Sequence, residues 1–158
     1  MTIFRKSIAA LGLAALLTGC VQYAEVTTPP VDLALKQSSI APRIKGYQDV
    51  TVRSFVQEGT QTNEVTGAKC TLESVELKAS VVTPSILRMP IVKSRPSPLI
   101  VTCTGNGMKG TNVIEPRKSQ DSGASGGLLG IVMNAALTAA IDRWYYAQGG
   151  LIGVTLKP

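Results

Sequence analysis

The sequence predicts a mainly β fold, a disulfide-stapled β-sandwich with one apolar, glycine-rich helix before its last strand. Three observations lead there. From residue 47 onward, apolar side chains recur with period two in short runs separated by turn residues, the pattern of half-buried strands. Cys70 and Cys103 fall on two of those runs, each in phase with the apolar positions. Residues 126–144 alone abandon the alternation for a nearly continuous apolar stretch. At 158 residues the chain suits a single domain, and with 4% aromatic residues its core has to be built from Val, Ile, Leu and Ala.

Residues 1–19 read as a lipoprotein signal peptide. Arg5 and Lys6 form a charged start, residues 7–17 form a short apolar run, and Leu17-Thr18-Gly19-Cys20 resembles the lipobox, whose small residues admit the peptidase before an acylated cysteine. As a helix the run reaches only ~17 Å against a hydrocarbon core of ~30 Å, so it suits secretion rather than spanning. Cys20 is therefore the expected lipidation site. Its acyl chains, at ~0.8 kcal/mol per buried methylene, hold a protein on a membrane without a spanning helix. Cleavage there leaves 139 of the 158 residues and, by removing Arg5 and Lys6, lowers the formal charge from +6 to +4. Val21, rather than an aspartate, follows the cysteine, which in similar lipoproteins points to the outer membrane, here on its periplasmic side.

Residues 20–45 look like a lipidated tether, and the domain proper is expected over residues 46–158. In the tether Pro29, Pro30 and Pro42 break any sustained period, although Val31, Leu33, Leu35 and Ile40 leave room for an edge strand. Val50, Val52 and Ser54 then alternate with Thr51, Arg53 and Phe55, and residues 58–67 read as a turn or loop. Cys70 and Leu72 share one face, whereas Val75, Leu77, Ala79 and Val81 alternate in the opposite phase, which requires a bulge or tight turn near Glu73 and Ser74. Thr83-Pro84 interrupts, residues 86–89 form a short strand, and residues 95–98 punctuate again. Leu99, Val101 and Cys103 share the next inward face. Gly105-Asn106-Gly107 supplies residues that tolerate positive φ for a turn, with a return strand over residues 111–115.

With Cys20 taken by lipid, Cys70 and Cys103 remain as an even pair in an oxidising compartment and are expected to form a disulfide. The competing reading is a redox or metal pair, which neither a Cys-x-x-Cys spacing nor a histidine supports.

Residues 117–125 read as a polar loop, and residues 126–144 as a helix with almost no polar face. Gly126 and Gly130 are its expected close-packing positions, because small residues four apart let two backbones approach. Such a helix either packs on the sheet or enters the membrane or self-associates. Residues 126–141 span only ~24 Å and are interrupted by Asn134 and Thr138, which favours packing on the sheet. Ile152, Val154 and Leu156 alternate as the closing strand.

The composition excludes much familiar chemistry. Without histidine there is no imidazole base and no His-containing zinc site or nucleophilic triad, so no catalytic, cofactor or metal residues are expected. The mature chain has no Ser-x-x-Lys or Gly-x-Ser-x-Gly, and residues 105–111 fail the phosphate-loop pattern because Lys109 precedes a glycine. Glu73 and Glu76, the closest mid-chain carboxylates, read as a solvated edge, and Asp142 with Arg143 as a helix end. Basic residues form no run longer than Arg117-Lys118, which argues against nucleic-acid binding.

From Gly67-Ala68-Lys69-Cys70, through Thr83-Pro84 and Leu99-Ile100-Val101-Thr102-Cys103, to the glycine-rich stretch, Asp142, the aromatics and the closing strand, the chain resembles a group of small proteobacterial outer-membrane lipoproteins. These have a PEGA-like β-sandwich and a glycine-rich C-terminal helix. The resemblance covers residues 67–158, without the Pro-Glu-Gly-Ala tetrapeptide that names PEGA domains. It implies location and fold and carries over no catalytic residues. The expected function is that of a membrane-anchored periplasmic lipoprotein, a non-enzymatic binding or structural module of the cell envelope. Its expected partner is an envelope protein, peptidoglycan or polysaccharide. The alternative is an outer-membrane structural lipoprotein that inserts or oligomerises through its glycine-rich helix.

Overall fold

The computed structural model describes residues 23–118, 142–147 and 149–158. Cys20, Gly126, Gly130 and the expected helix up to residue 141 lie outside the described residues. Within them the chain is mainly β, with two sheets around one core. The elements in order are β1 (Val31–Asp32), β2 (Ala34–Leu35), a 3-10 turn (Ser38–Arg43), β3 (Ile44–Glu58), β4 (Gln61–Val65), β5 (Lys69–Glu73) and β6 (Leu77–Val82). They continue with β7 (Ser85–Val92), β8 (Leu99–Gly105), β9 (Met108–Ile114), β10 (Arg117–Lys118), β11 (Trp144–Tyr145) and β12 (Leu151–Leu156).

The long strand β3 organises the first sheet. One of its edges pairs antiparallel with β7 from Ile44 to Val52 and then with β4 from Ser54 to Glu58. The other edge takes β12 in parallel, Thr51 to Val56 against Leu151 to Leu156. The far edge of β7 carries β1 and β11, and β10 pairs with β11. The second sheet runs β2-β6-β5-β8-β9 with every pair antiparallel.

Period-two burial on both sheets makes the core. Val50, Val52, Leu87, Met89, Ile152, Val154 and Leu156 of the first sheet cluster with Leu72, Leu77, Leu99, Val101 and both cysteines of the second. Each large aliphatic side chain so buried contributes ~1.5–3 kcal/mol, which compensates for the scarcity of aromatics.

Among the described residues, backbone pairing joins the sheets at three places. Lys109 and Lys157 exchange two backbone hydrogen bonds of 2.9 and 3.0 Å, linking β9 to the end of β12. Gly110 is required beside this seam, because a Cβ there would overlap the Thr155 carbonyl. On the opposite side, residues 31–35 place β1 in the first sheet and β2 in the second. At a corner the β4–β5 and β6–β7 connections pass side by side, with Gly67 N–H donating to the Thr83 carbonyl at 2.7 Å and Thr83 N–H to the Ala68 carbonyl at 2.9 Å. The Thr83-Pro84 bond there is cis. Ser54 Oγ donates to the Val65 carbonyl at 2.6 Å and lies 2.8 Å from Thr83 Oγ1, satisfying buried polar atoms where β3 exchanges β7 for β4.

Several expectations are corrected. Within residues 58–67 the chain forms β4, whose outward Thr62 and Glu64 gave no apolar alternation to read. Residues 31–35, where the tether left room for an edge strand, do carry two short strands, and the unforeseen part is the 3-10 turn over Ser38–Arg43 with Ile40 fully buried. The expected helix does not reach residue 144, because Trp144 pairs with Val92 and Lys118 with Trp144. β7 and β3 separate β11 from β12, and the connection crosses them on the core side with Tyr146 and Ala147 buried. The phase break near Ser74 is a tight turn, and Asn106 and Gly107 adopt φ of 52° and 72° in the β8–β9 hairpin.

Candidate functional site

Antiparallel register sorts the outer face of the second sheet into three cross-strand rows. Lys69, Thr104 and Lys109 form the first, Thr71, Thr102 and Thr111 the second, and Glu73, Ile100 and Val113 the third. Adjacent rows are two residues apart, so about 13 Å separates the lysine row from the apolar one. In the third row Ile100 is 50% and Val113 53% exposed, although Ile100 lies between the fully buried Leu99 and Val101.

Those two side chains floor a groove of about 560 Å³. Val75 and Pro98 extend its apolar wall, and Lys36 and Glu73 form its polar rim. Lys36 Nζ lies 2.8 Å from Glu73 Oε1. The hydrogen bond and charge of Lys36 hold the Glu73 carboxyl below its usual range.

A buried polar cluster supports the groove from beneath. Ser74 Oγ accepts hydrogen bonds from the Glu76 and Leu77 amides at 3.1 and 2.9 Å, which closes the β5–β6 turn and leaves Val75 at its exposed tip. Glu76 is turned inward rather than solvated, correcting the edge reading. Its Oε1 accepts from Ser97 N–H at 3.2 Å and Ser97 Oγ at 3.1 Å, and its Oε2 accepts from Ser74 Oγ at 3.3 Å. Tyr146 hydroxyl donates to the Ser97 carbonyl at 2.8 Å, and burial pushes the phenol well above its ordinary pKa. These donors engage both Glu76 oxygens, so the carboxylate fixes the loop before β8 and positions Pro98 and Ile100. Sequence reasoning found the turn near Ser74 but missed this role, because the partner that draws Glu76 inward, Ser97, lies 21 residues on in a separate loop.

Cys70 and Cys103 form the expected disulfide. They face each other in register on β5 and β8 with Cα atoms 4.0 Å apart, stapling neighbouring strands of one sheet directly beneath its outer rows. The helix that Asp142 was expected to end lies outside the described residues. Asp142 accepts from Trp144 Nε1 at 2.9 Å and Ser94 N–H at 3.0 Å, clamping the end of β7 against β11.

A second polar cluster lies on the outer face of the first sheet. Arg53 Nη1 meets Glu64 Oε1 at 2.6 Å, and this pair binds Ala24 through both of its backbone groups. The Tyr23 ring lies 4.9 Å from the Arg53 guanidinium and edge-on to Phe55 at 6.1 Å. Gly153 accommodates this layer, since a Cβ there would come 3.1 Å from the Phe55 ring.

Among the described residues no three His, Cys, Asp or Glu side chains converge as metal ligands, and no helix is long and apolar enough to cross a membrane. Comparison with protein-family models, with curated proteins and with solved structures finds no match to this chain. The groove and the two polar clusters therefore carry the functional argument alone.

Proposed function

We propose that the chain is a lipid-anchored lipoprotein on the periplasmic side of the outer membrane, which binds another envelope component without catalysing a reaction. The observation that carries this reading is the groove over Ile100 and Val113. A concave, mainly apolar surface with one ion pair at its rim is built for binding, and the carboxylate beneath it is committed to holding the loop. Its apolar wall favours a hydrophobic segment of an envelope protein over peptidoglycan or polysaccharide, whose many hydroxyls require denser polar partners. Anchoring at Cys20 is supported by the lipobox-like residues 17–20 and by the disulfide, which belongs to an oxidising compartment.

A photo-crosslinking residue at Ile100 in intact cells tests the reading. It should yield an adduct with one distinct envelope protein, and the same probe at exposed Tyr47, on the opposite sheet, should not. Equal labelling from both positions would contradict it.

A second reading, structural insertion or self-association through the stretch containing Gly126 and Gly130, is favoured by one observation. The paired strands β10 and β11 set Lys118 opposite Trp144, so the described chain on either side of that stretch meets at the edge of the first sheet. Self-adducts from a probe at residue 130, with none to another protein from Ile100, would select this reading.

A further inference from the structure

Lysines converge where the two sheets meet. Lys69 and Lys109 flank Thr104 in one row of the second sheet, and Lys109 is bridged to Lys157 at the end of β12. All three are exposed, and among the described residues none forms an ion pair. The Glu58 and Glu64 carboxylates on the adjoining β3–β4 hairpin are engaged by Asn63 and Arg53. Like charges directly opposite each other on neighbouring strands destabilise a sheet, so the Lys109/Lys157 bridge is an unfavourable local choice that an anionic ligand would reverse.

Lys157 also lies toward the described start of the chain. Tyr23 packs edge-on to Phe55, Phe55 pairs with Thr155, and Lys157 follows Thr155 by two residues. Cys20 precedes Tyr23 by three residues, which reach at most ~10 Å of extended chain. An acyl group on Cys20 would therefore bring a lipid surface to the same end of the domain.

We infer that Lys69, Lys109 and Lys157 form a docking surface for the phosphate groups of an anionic lipid surface, orienting the domain with its groove held away from the headgroups. The placement rests on acylation of Cys20, whereas the charge complementarity does not. The test uses the mature chain with Cys20→Ser, so that acyl insertion does not mask the lysines, and vesicles of phosphatidylcholine with or without phosphatidylglycerol. Partitioning should require phosphatidylglycerol and fall with added salt, and K69Q/K109Q/K157Q should weaken it on the order of a hundredfold, roughly fivefold per lysine. The matched variant K45Q/K78Q/K93Q, with the same change in net charge, should weaken it far less. Equal losses in the two variants, or no dependence on phosphatidylglycerol, would overturn the inference. Acylation is read separately from the mass of the wild-type protein. An unmodified Cys20 alongside lysine-dependent binding therefore removes only the anchor, and an acylated Cys20 without lysine dependence removes only the docking surface.

Discussion

Arg53 and Glu64 hold each other diagonally across the β3–β4 pair, and together they grip Ala24. Arg53 Nη1 donates to the Ala24 carbonyl at 2.8 Å while Ala24 N–H donates to Glu64 Oε2 at 2.7 Å. With side chains only 12% and 6% exposed, the ion pair is poorly screened and lies beneath the Tyr23 ring. The chain is thus fixed to the first sheet from Tyr23 onward rather than trailing free to residue 45.

Removing the carboxylate should free that segment. A hydrogen bond to a charged group contributes ~1.5–3 kcal/mol, so Glu64→Ala should speed exchange of the Ala24 amide by about ten- to a hundredfold. Amide exchange followed by NMR reads this directly, and an unchanged Ala24 rate would show that the segment is held by other contacts.

The Cys70–Cys103 staple closes a loop with a sequence separation of 33. In the chain-entropy picture this constraint is worth about 4 kcal/mol, so Cys70→Ala/Cys103→Ala should lose about that much in urea unfolding. A loss below ~1 kcal/mol would mean that the unfolded chain is already confined by other means.

Tyr146 makes the domain sensitive to alkali. Burial raises the folded-state pKa above the ordinary value near 10, so the folded state keeps its proton where the unfolded state has lost it. This contribution is complete below pH ~10 and declines as pH rises towards the folded pKa. Tyr146→Phe removes the titrating group and should flatten the fall in melting temperature above pH ~10, although it costs about 1 kcal/mol at neutral pH through the lost bond to Ser97. Parallel alkaline limbs in the two proteins would contradict this assignment.

Much of the strand framework was legible because burial on one face imposes period two. Val50 and Val52, Leu99 to Cys103, and Ile152 to Leu156 all lie as their alternation requires. The inward phase of both cysteines followed from the same rule, and the Asn106-Gly107 turn from its need for positive φ. Other parts depend on partners remote in sequence. β4 buries only Val65 and is held by backbone pairing to β3, so its polar Gln61 to Glu64 carries no pattern. Val31–Asp32 is ordered by β7, more than fifty residues on, and Trp144 by Val92. The polar support of the groove was hidden for the same reason: Glu76, Ser97 and Tyr146 meet only after three separate elements have folded.

The central claim is a lipid-anchored envelope module, and the mass of the N-terminal peptide of the mature protein, purified from membranes, tests it most directly. The account predicts that this peptide begins at Cys20 and carries a diacylglyceryl group on its sulfur. A mature chain that begins elsewhere, or an unmodified Cys20 at its start, would contradict it.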